Sequence, residues 1–92
     1  TNGHASQASD SEIIEGMNLL AETEGIFAET AGGVTIACLK KLVQSNKIAK
    51  TEETVAVISG GGLKTIEAVS DVANNAMLVK PNIDSFEMNL AH

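Results

Sequence analysis

One run of β-branched residues constrains this chain more than any other feature. Residues 54–58 read TVAVI, a short and continuously apolar run that is typical of a strand covered on both faces in a parallel sheet. A single strand cannot form a sheet, so its neighbours are expected from another part of a larger molecule. The lack of an initiator Met at Thr1 also suggests that the chain begins inside a longer one.

Two helices are predicted before this strand. Ser9 and Glu12 have the spacing of a capping box, apolar residues follow at helical spacing, and Gly25 is expected to end the first helix. A second helix is expected to open at residues 29–33 (ETAGG) and to end in the polar stretch 44–53. One side of this second helix carries Val34, Cys38, Leu42 and Val43.

The remaining segments complete the predicted order of helix, helix, strand and helix. A glycine-rich turn follows the strand, a short helix is predicted over residues 64–71, and Pro81 interrupts regular structure. Asp84 is expected to cap a last turn that contains Phe86. Residues 1–9 are interpreted as a linker or truncated loop, and residues 10–92 as one structural unit.

Composition excludes several classes of function. The net charge is −6 with six Lys and no Arg, which excludes a nucleic-acid partner because phosphate binding depends on clustered basic residues. Apolar runs stay far below the roughly 20 residues that span a bilayer, so no membrane partner and a cytoplasmic location are expected. Cys38 is interpreted as a small core residue, and no metal site is expected because His4 and His92 lie in the terminal segments.

Chemistry is predicted at two small-residue motifs. Residues 59–62 (SGGG) follow the strand, and open α/β sheets bind ligands beyond the carboxyl ends of their strands. Glycines permit close approach of a ligand, and the Ser59 hydroxyl can donate or accept a hydrogen bond; the alternative is a flexible turn. At the second motif, Glu29 could act chemically or could only stabilise the start of a helix, and Thr30 could be a plain N-cap.

Together the two motifs carry a resemblance to a known family. The block LLAETEGIFAETAGGVT at residues 19–35, followed by residues 54–65 with ISGGGLK, resembles the C-terminal part of threonine synthases. These enzymes are fold-type-II members of the tryptophan synthase β-subunit superfamily, and they convert O-phosphohomoserine and water to threonine and phosphate. Threonine dehydratases and cysteine synthases are close relatives and remain alternatives, as does a small non-catalytic module that binds an anion at residues 60–62.

The resemblance implies an α/β fold, in which residues 10–92 are the C-terminal portion of the large, cofactor-binding domain, and this fragment completes a mainly parallel sheet. It also implies pyridoxal phosphate as the cofactor, with the Ser59 hydroxyl facing the pyridine nitrogen beside Gly60 and Gly61. Glu29 matches a carboxylate near the cofactor ring and is the candidate catalytic residue. The cofactor-bearing lysine and the phosphate-binding loop lie upstream in the family, so this chain alone is expected to be inactive.

The same resemblance implies the partners. The remainder of the enzyme, or a complementing chain, is expected to supply the lysine and the other strands of the sheet. An amino-acid substrate is expected at the cofactor, and the complete enzyme is expected to be a homo-oligomer.

Overall fold

The computed structural model describes residues 2–70 and 80–90, and the described residues are predominantly helical. In chain order the elements are α1 (Asp10–Glu24), α2 (Thr30–Gln44), a 3₁₀ helix (Gly62–Ala68) and α3 (Ile83–Leu90). The two predicted N-terminal helices are therefore confirmed.

Helix α1 begins and ends where its capping residues predict. The Ser9 hydroxyl accepts the Glu12 N–H at 3.3 Å, and the Glu12 carboxylate accepts the Ser9 N–H at 2.8 Å, which completes a reciprocal capping box. At the other end Gly25 adopts the left-handed conformation, with φ at 66°, and donates its N–H to the Ala21 carbonyl. A side chain would be strained there, so Gly25 stops the helix and turns the chain towards α2.

Helices α1 and α2 pack against each other through glycine. A Cβ built on Gly16 would lie 2.5 Å from the Gly33 carbonyl oxygen and 3.2 Å from the Ala37 nitrogen, so the backbones approach as closely as the missing side chains allow. The core around this crossing consists of Met17, Leu20 and Ala37.

The face that α2 buries is different from its most apolar side. Gly32, Gly33 and Ala37 are buried, whereas Val34 is exposed and Cys38 is only half-buried. Small residues occupy the contact because they bring the two helix axes together, and larger aliphatic residues cannot enter that space. The interpretation of Cys38 as a core residue is thus met only in part.

The predicted strand at residues 54–58 takes part in no ladder among the described residues. Val55 and Val57 are 85% and 75% exposed, so within the described part of the chain only Ile58, at the end of this run, is partly covered. The only bridge among those residues joins Ala28 and Gly61, in antiparallel orientation. The helices of the predicted order are present, and the sheet is not confirmed.

The C-terminal elements begin at other residues than the sequence indicates. A 3₁₀ helix over Gly62–Ala68 replaces the helix predicted at residues 64–71, whose last residue lies outside the described ones. The Asn82 side chain, and not Asp84, caps α3, because its amide oxygen accepts the Ser85 N–H at 2.8 Å. The prediction of Asp84 as the cap was wrong; an N-cap must precede the first turn, and Asp84 lies within it.

The whole chain exposes more surface than a compact domain of its length. Its accessible area is 7196 Å², against roughly 5,000 Å² for a folded monomer of this size. The radius of gyration is 17.8 Å, against about 12 Å for a compact domain of the same length. In the described residues no helix is both long and apolar enough to span a bilayer.

Candidate functional site

The two motifs singled out in the sequence meet in the structure. The Glu29 N–H donates to the Gly60 carbonyl at 3.3 Å, and the Gly62 N–H donates to the Phe27 carbonyl at 2.9 Å. These two hydrogen bonds flank the bridge between Ala28 and Gly61. Residues 27–29, which lead into α2, and residues 60–62, which lead into the 3₁₀ helix, therefore form one short antiparallel pairing, called here the motif bridge.

Two of the three glycines in the motif bridge are covered by side chains from the opposite strand. A Cβ at Gly60 would overlap the Glu29 carboxylate, and a Cβ at Gly62 would overlap the Phe27 ring. Gly60 also has φ at 79°, a left-handed conformation that strains other residues. The left-handed backbone favours glycine at Gly60, whereas the overlapping atoms at Gly60 and Gly62 belong to side chains that would have to move to admit a Cβ. Gly61 differs, because a Cβ there would meet nothing within 4 Å.

Behind the motif bridge, small residues bring the start of α2 against the end of the predicted strand. Ala28 is 1% exposed, and a Cβ built on Gly32 would lie 2.6 Å from the Ala28 Cβ and 3.3 Å from a methyl carbon of Ile58. The first turn of α2, the bridge and Ile58 therefore pack as a single block. Ser59 follows Ile58 directly, so this block fixes the backbone that presents its hydroxyl.

All four predicted site residues lie in this block or at its edge. Ser59, Gly60 and Gly61 are exposed, and Glu29 is partly exposed. Glu29 occupies the N-cap position of α2 but makes no capping hydrogen bond through its side chain. Thr30 is the first helical residue, so the alternative of Thr30 as the N-cap was wrong.

Sequence reasoning missed two residues near the bridge. Phe27 covers Gly62, and its only signal in the sequence was its rarity, as one of two Phe in the chain. Thr65 has a buried hydroxyl oxygen with no hydrogen-bond partner among the described residues, at a point where the 3₁₀ helix is interrupted (φ −133°, ψ 42°). No pattern in the sequence distinguishes Thr65 from an ordinary helical residue.

A separate ion pair fastens the N-terminal segment to the helical hairpin. The Lys41 ammonium lies 2.6 Å from the Glu12 carboxylate and donates to the Gln7 carbonyl at 2.8 Å. The hydrogen bond from Lys41, reinforced by the Ser9 N–H, holds the pKa of the Glu12 carboxyl below its ordinary value. Because one carboxylate serves both the capping box and the ion pair, Glu12 links the start of α1 to the last turn of α2.

Ser59 and Gly61 lie on the exposed side of the motif bridge. Ser59 presents a hydroxyl that can donate a hydrogen bond, and Gly61 leaves open space beside it. In residues 2–70 and 80–90, no group of three or more His, Cys, Asp or Glu side chains could hold a metal ion. A serine hydroxyl can donate a hydrogen bond to a ring nitrogen, so Ser59 is compatible with the role that the resemblance implies for it.

Comparison with known proteins agrees with this chemistry. The family described as pyridoxal-phosphate dependent enzymes matches residues 1–60, and this chain belongs to that family. Within it, the chain is similar to threonine synthases. It is 35% identical, over 97% of its length, to the threonine synthase of Bacillus sp. (strain ULM1), and it covers 28% of that protein.

Two further threonine synthases give the same result. Identity is 37% over 89% of the chain for the Halalkalibacterium halodurans protein and 43% over 74% for the Methanocaldococcus jannaschii protein. The chain covers 23% and 17% of these two proteins, so it spans less than a third of the length of the relatives described. The predicted resemblance, the fold-type-II class and the predicted cofactor, pyridoxal phosphate, are confirmed.

Proposed function

We propose that this chain supplies the pyridine-side wall of the cofactor site in a threonine synthase, as the C-terminal portion of its cofactor-binding domain. The reaction would convert O-phosphohomoserine and water to threonine and phosphate. The observation that carries the proposal is the motif bridge, which holds Ser59 beside the open face of Gly61. The similarity to several threonine synthases favours this reaction over those of threonine dehydratases and cysteine synthases.

When bound, pyridoxal phosphate supplies the electron sink that stabilises negative charge on the substrate carbon. In this chain Ser59 would hold the ring nitrogen through its hydroxyl. A hydroxyl, unlike a carboxylate, carries no negative charge that would keep a proton on that nitrogen. Ser59 would therefore moderate the electron sink, which suits elimination and replacement on the substrate side chain.

The remaining parts of the site would come from a partner segment. Val55 and Val57 are 85% and 75% exposed, so the apolar run at residues 54–58 presents surface that other strands would cover. We propose that the remainder of the enzyme, or a complementing chain, covers residues 54–58 with the other strands of a mainly parallel sheet. The same segment would contribute the cofactor-bearing lysine, and the complete enzyme would be a homo-oligomer.

Substitution of Ser59 in the complete enzyme tests the assignment. Ser59→Asp should raise the pKa of the pyridine nitrogen, change the cofactor absorbance and its pH dependence, and reduce normal turnover, because a carboxylate favours the protonated ring. Ser59→Thr keeps the hydroxyl and should be tolerated. Ser59→Ala should weaken cofactor binding about fivefold, the effect of losing one hydrogen bond of about 1 kcal/mol.

The matched control is Ser6→Ala, at an exposed serine of the N-terminal segment. It should change neither cofactor absorbance nor affinity. If Ser59→Asp and Ser59→Thr both behaved like the parent enzyme, Ser59 would not face the ring and the assignment would be wrong.

A further inference from the structure

Glu29 joins the start of α2 to the glycine loop through both its backbone and its side chain. Its N–H donates to the Gly60 carbonyl at 3.3 Å, and its own carbonyl accepts the N–H groups of Gly32 and Gly33 at 3.0 and 3.3 Å. Its carboxylate lies in the volume that a side chain at Gly60 would occupy. One residue therefore touches the helix on one side and the residue after Ser59 on the other.

The ordinary role of an acidic residue at a helix start does not account for this placement. A capping side chain would accept a hydrogen bond from the first turn, and the Glu29 side chain makes no such bond. It is directed to Gly60, where a φ of 79° would strain any residue that carries a Cβ. The carboxylate therefore packs against Gly60, in space that the absence of a side chain leaves open.

We propose that Glu29 is a positioning residue, whose carboxylate packs on Gly60 and thereby sets the orientation in which Ser59 presents its hydroxyl. The proposal rests on the assignment of Ser59 to the cofactor. A positioning role for Glu29 depends on the size and shape of its side chain, whereas acid–base catalysis depends on its ionisation, so the two roles can be told apart by substitution. Glu29→Gln preserves the shape and removes the charge, and Glu29→Ala removes both.

The first test measures amide hydrogen exchange in the complete enzyme with the cofactor removed. Glu29→Ala should lower the protection factors of the residue 29 and Gly62 amides about fivefold, the loss expected for one weak contact of about 1 kcal/mol. Glu29→Gln should leave both within twofold of the parent. The control, Glu22→Ala, changes an exposed acidic residue of α1 and should have no effect at these amides. Lack of protection at both amides in the parent enzyme would overturn the proposal.

A double substitution tests the contact itself. Gly60→Ala alone should lower the protection of the Gly62 amide, because the new Cβ overlaps the Glu29 carboxylate and the backbone is left-handed. In the Glu29→Ala background the overlap is gone and only the backbone strain remains, so Gly60→Ala should have a smaller effect. Strictly additive effects of the two substitutions would contradict a direct contact.

The final test uses the complete enzyme and two readouts, cofactor affinity and cofactor absorbance. Glu29→Ala should weaken cofactor binding by about the same fivefold factor as Ser59→Ala, and Glu29→Gln should restore most of it. If Glu29→Gln abolished turnover with the bridge amides still protected, Glu29 would be an acid–base catalyst and the proposal would be wrong. If the exchange results held but cofactor binding responded to neither Glu29 nor Ser59, the assignment of Ser59 would fail while the contact with Gly60 stood.

Discussion

Substitution of Gly16 by Ala provides a direct test of how α1 and α2 are held together. The new methyl group would lie 2.5 Å from the Gly33 carbonyl oxygen and 3.2 Å from the Ala37 nitrogen. Both atoms belong to the backbone, so no side-chain rotation can relieve the overlap. The helices would have to separate by roughly 0.9 Å, the difference between 2.5 Å and the 3.4 Å of an ordinary contact.

Two opposing terms determine the effect on stability. Alanine favours a helix over glycine by about 1 kcal/mol, which would stabilise α1 if the methyl group met no obstacle. Overpacking costs about 1–3 kcal/mol, and a rigid backbone obstacle places this site near the upper end. A gap of roughly 0.9 Å would also weaken the contacts around Met17 and Leu20, both of which are buried. We therefore expect a net destabilisation of about 1–2 kcal/mol.

Urea unfolding of the dilute chain, followed by circular dichroism at helical wavelengths, measures this change. Gly61→Ala is the control, because a Cβ there meets nothing within 4 Å and its φ of −87° suits any residue. The control should fall within about 0.5 kcal/mol of the parent. A stabilisation of about 1 kcal/mol by Gly16→Ala would show that the higher helix propensity of alanine is the only effect. In that case the two helices would not approach as closely as described.

Three further results are expected. The Ser9 N–H donates to the Glu12 carboxylate, so the Ser9 amide resonance should shift as that carboxylate is protonated, which the lowered pKa of Glu12 places below pH 4.5. The ion pair with Lys41 therefore stabilises the fold above that pH and is lost as the pH falls through the lowered pKa. Lys41→Met should raise the midpoint of the Ser9 shift, and an unchanged midpoint would contradict the pairing. The 92-residue chain alone should not convert O-phosphohomoserine, since none of its six lysines lies in the family's cofactor-bearing context; measurable turnover would refute this. The same chain should associate in sedimentation experiments through its exposed apolar run, and Val55→Lys with Val57→Lys should reduce the association; a cooperative melt of a parent monomer would favour the alternative of an independent binding module.

The two ends of α1 were predictable because their signals are local. Ser9 with Glu12 and Gly25 act within one helical turn, so the sequence contains everything needed to place both ends of α1. The crossing of α1 and α2 was not predictable in the same way, since periodicity emphasises large apolar residues. The two helices touch at Gly16 and Gly33, where the lack of a side chain lets the backbones approach. For residues 54–58 the pattern predicts a strand, but a strand forms a sheet only with a partner strand, and the pattern does not say where that partner comes from.

The candidate site was predictable as two motifs and not as one arrangement. Each motif has its own local signal, but their pairing joins residues that lie about 30 positions apart in the chain, and no local signal specifies it. The sequence suggested that all three glycines serve a ligand or a turn. The structure instead divides them, with Gly60 and Gly62 covered from within and Gly61 open. The side chains that cover them, Glu29 and Phe27, cannot be assigned that role without a three-dimensional contact.

The separation between the two halves of the motif bridge also has a consequence for folding order. The hairpin of α1 and α2 depends on contacts close in sequence and should form early. Docking of the loop must then close a connecting segment of about 15 residues, at a cost of about 2 kcal/mol. The two hydrogen bonds of the motif bridge stabilise the docked loop by about 2 kcal/mol, which only offsets this cost. The net stability of the docked loop therefore depends on the burial of Ala28 and on the contact of Phe27 with Gly62. The loop that carries Ser59 should thus form last and open first, and any ligand that it binds would favour its closure.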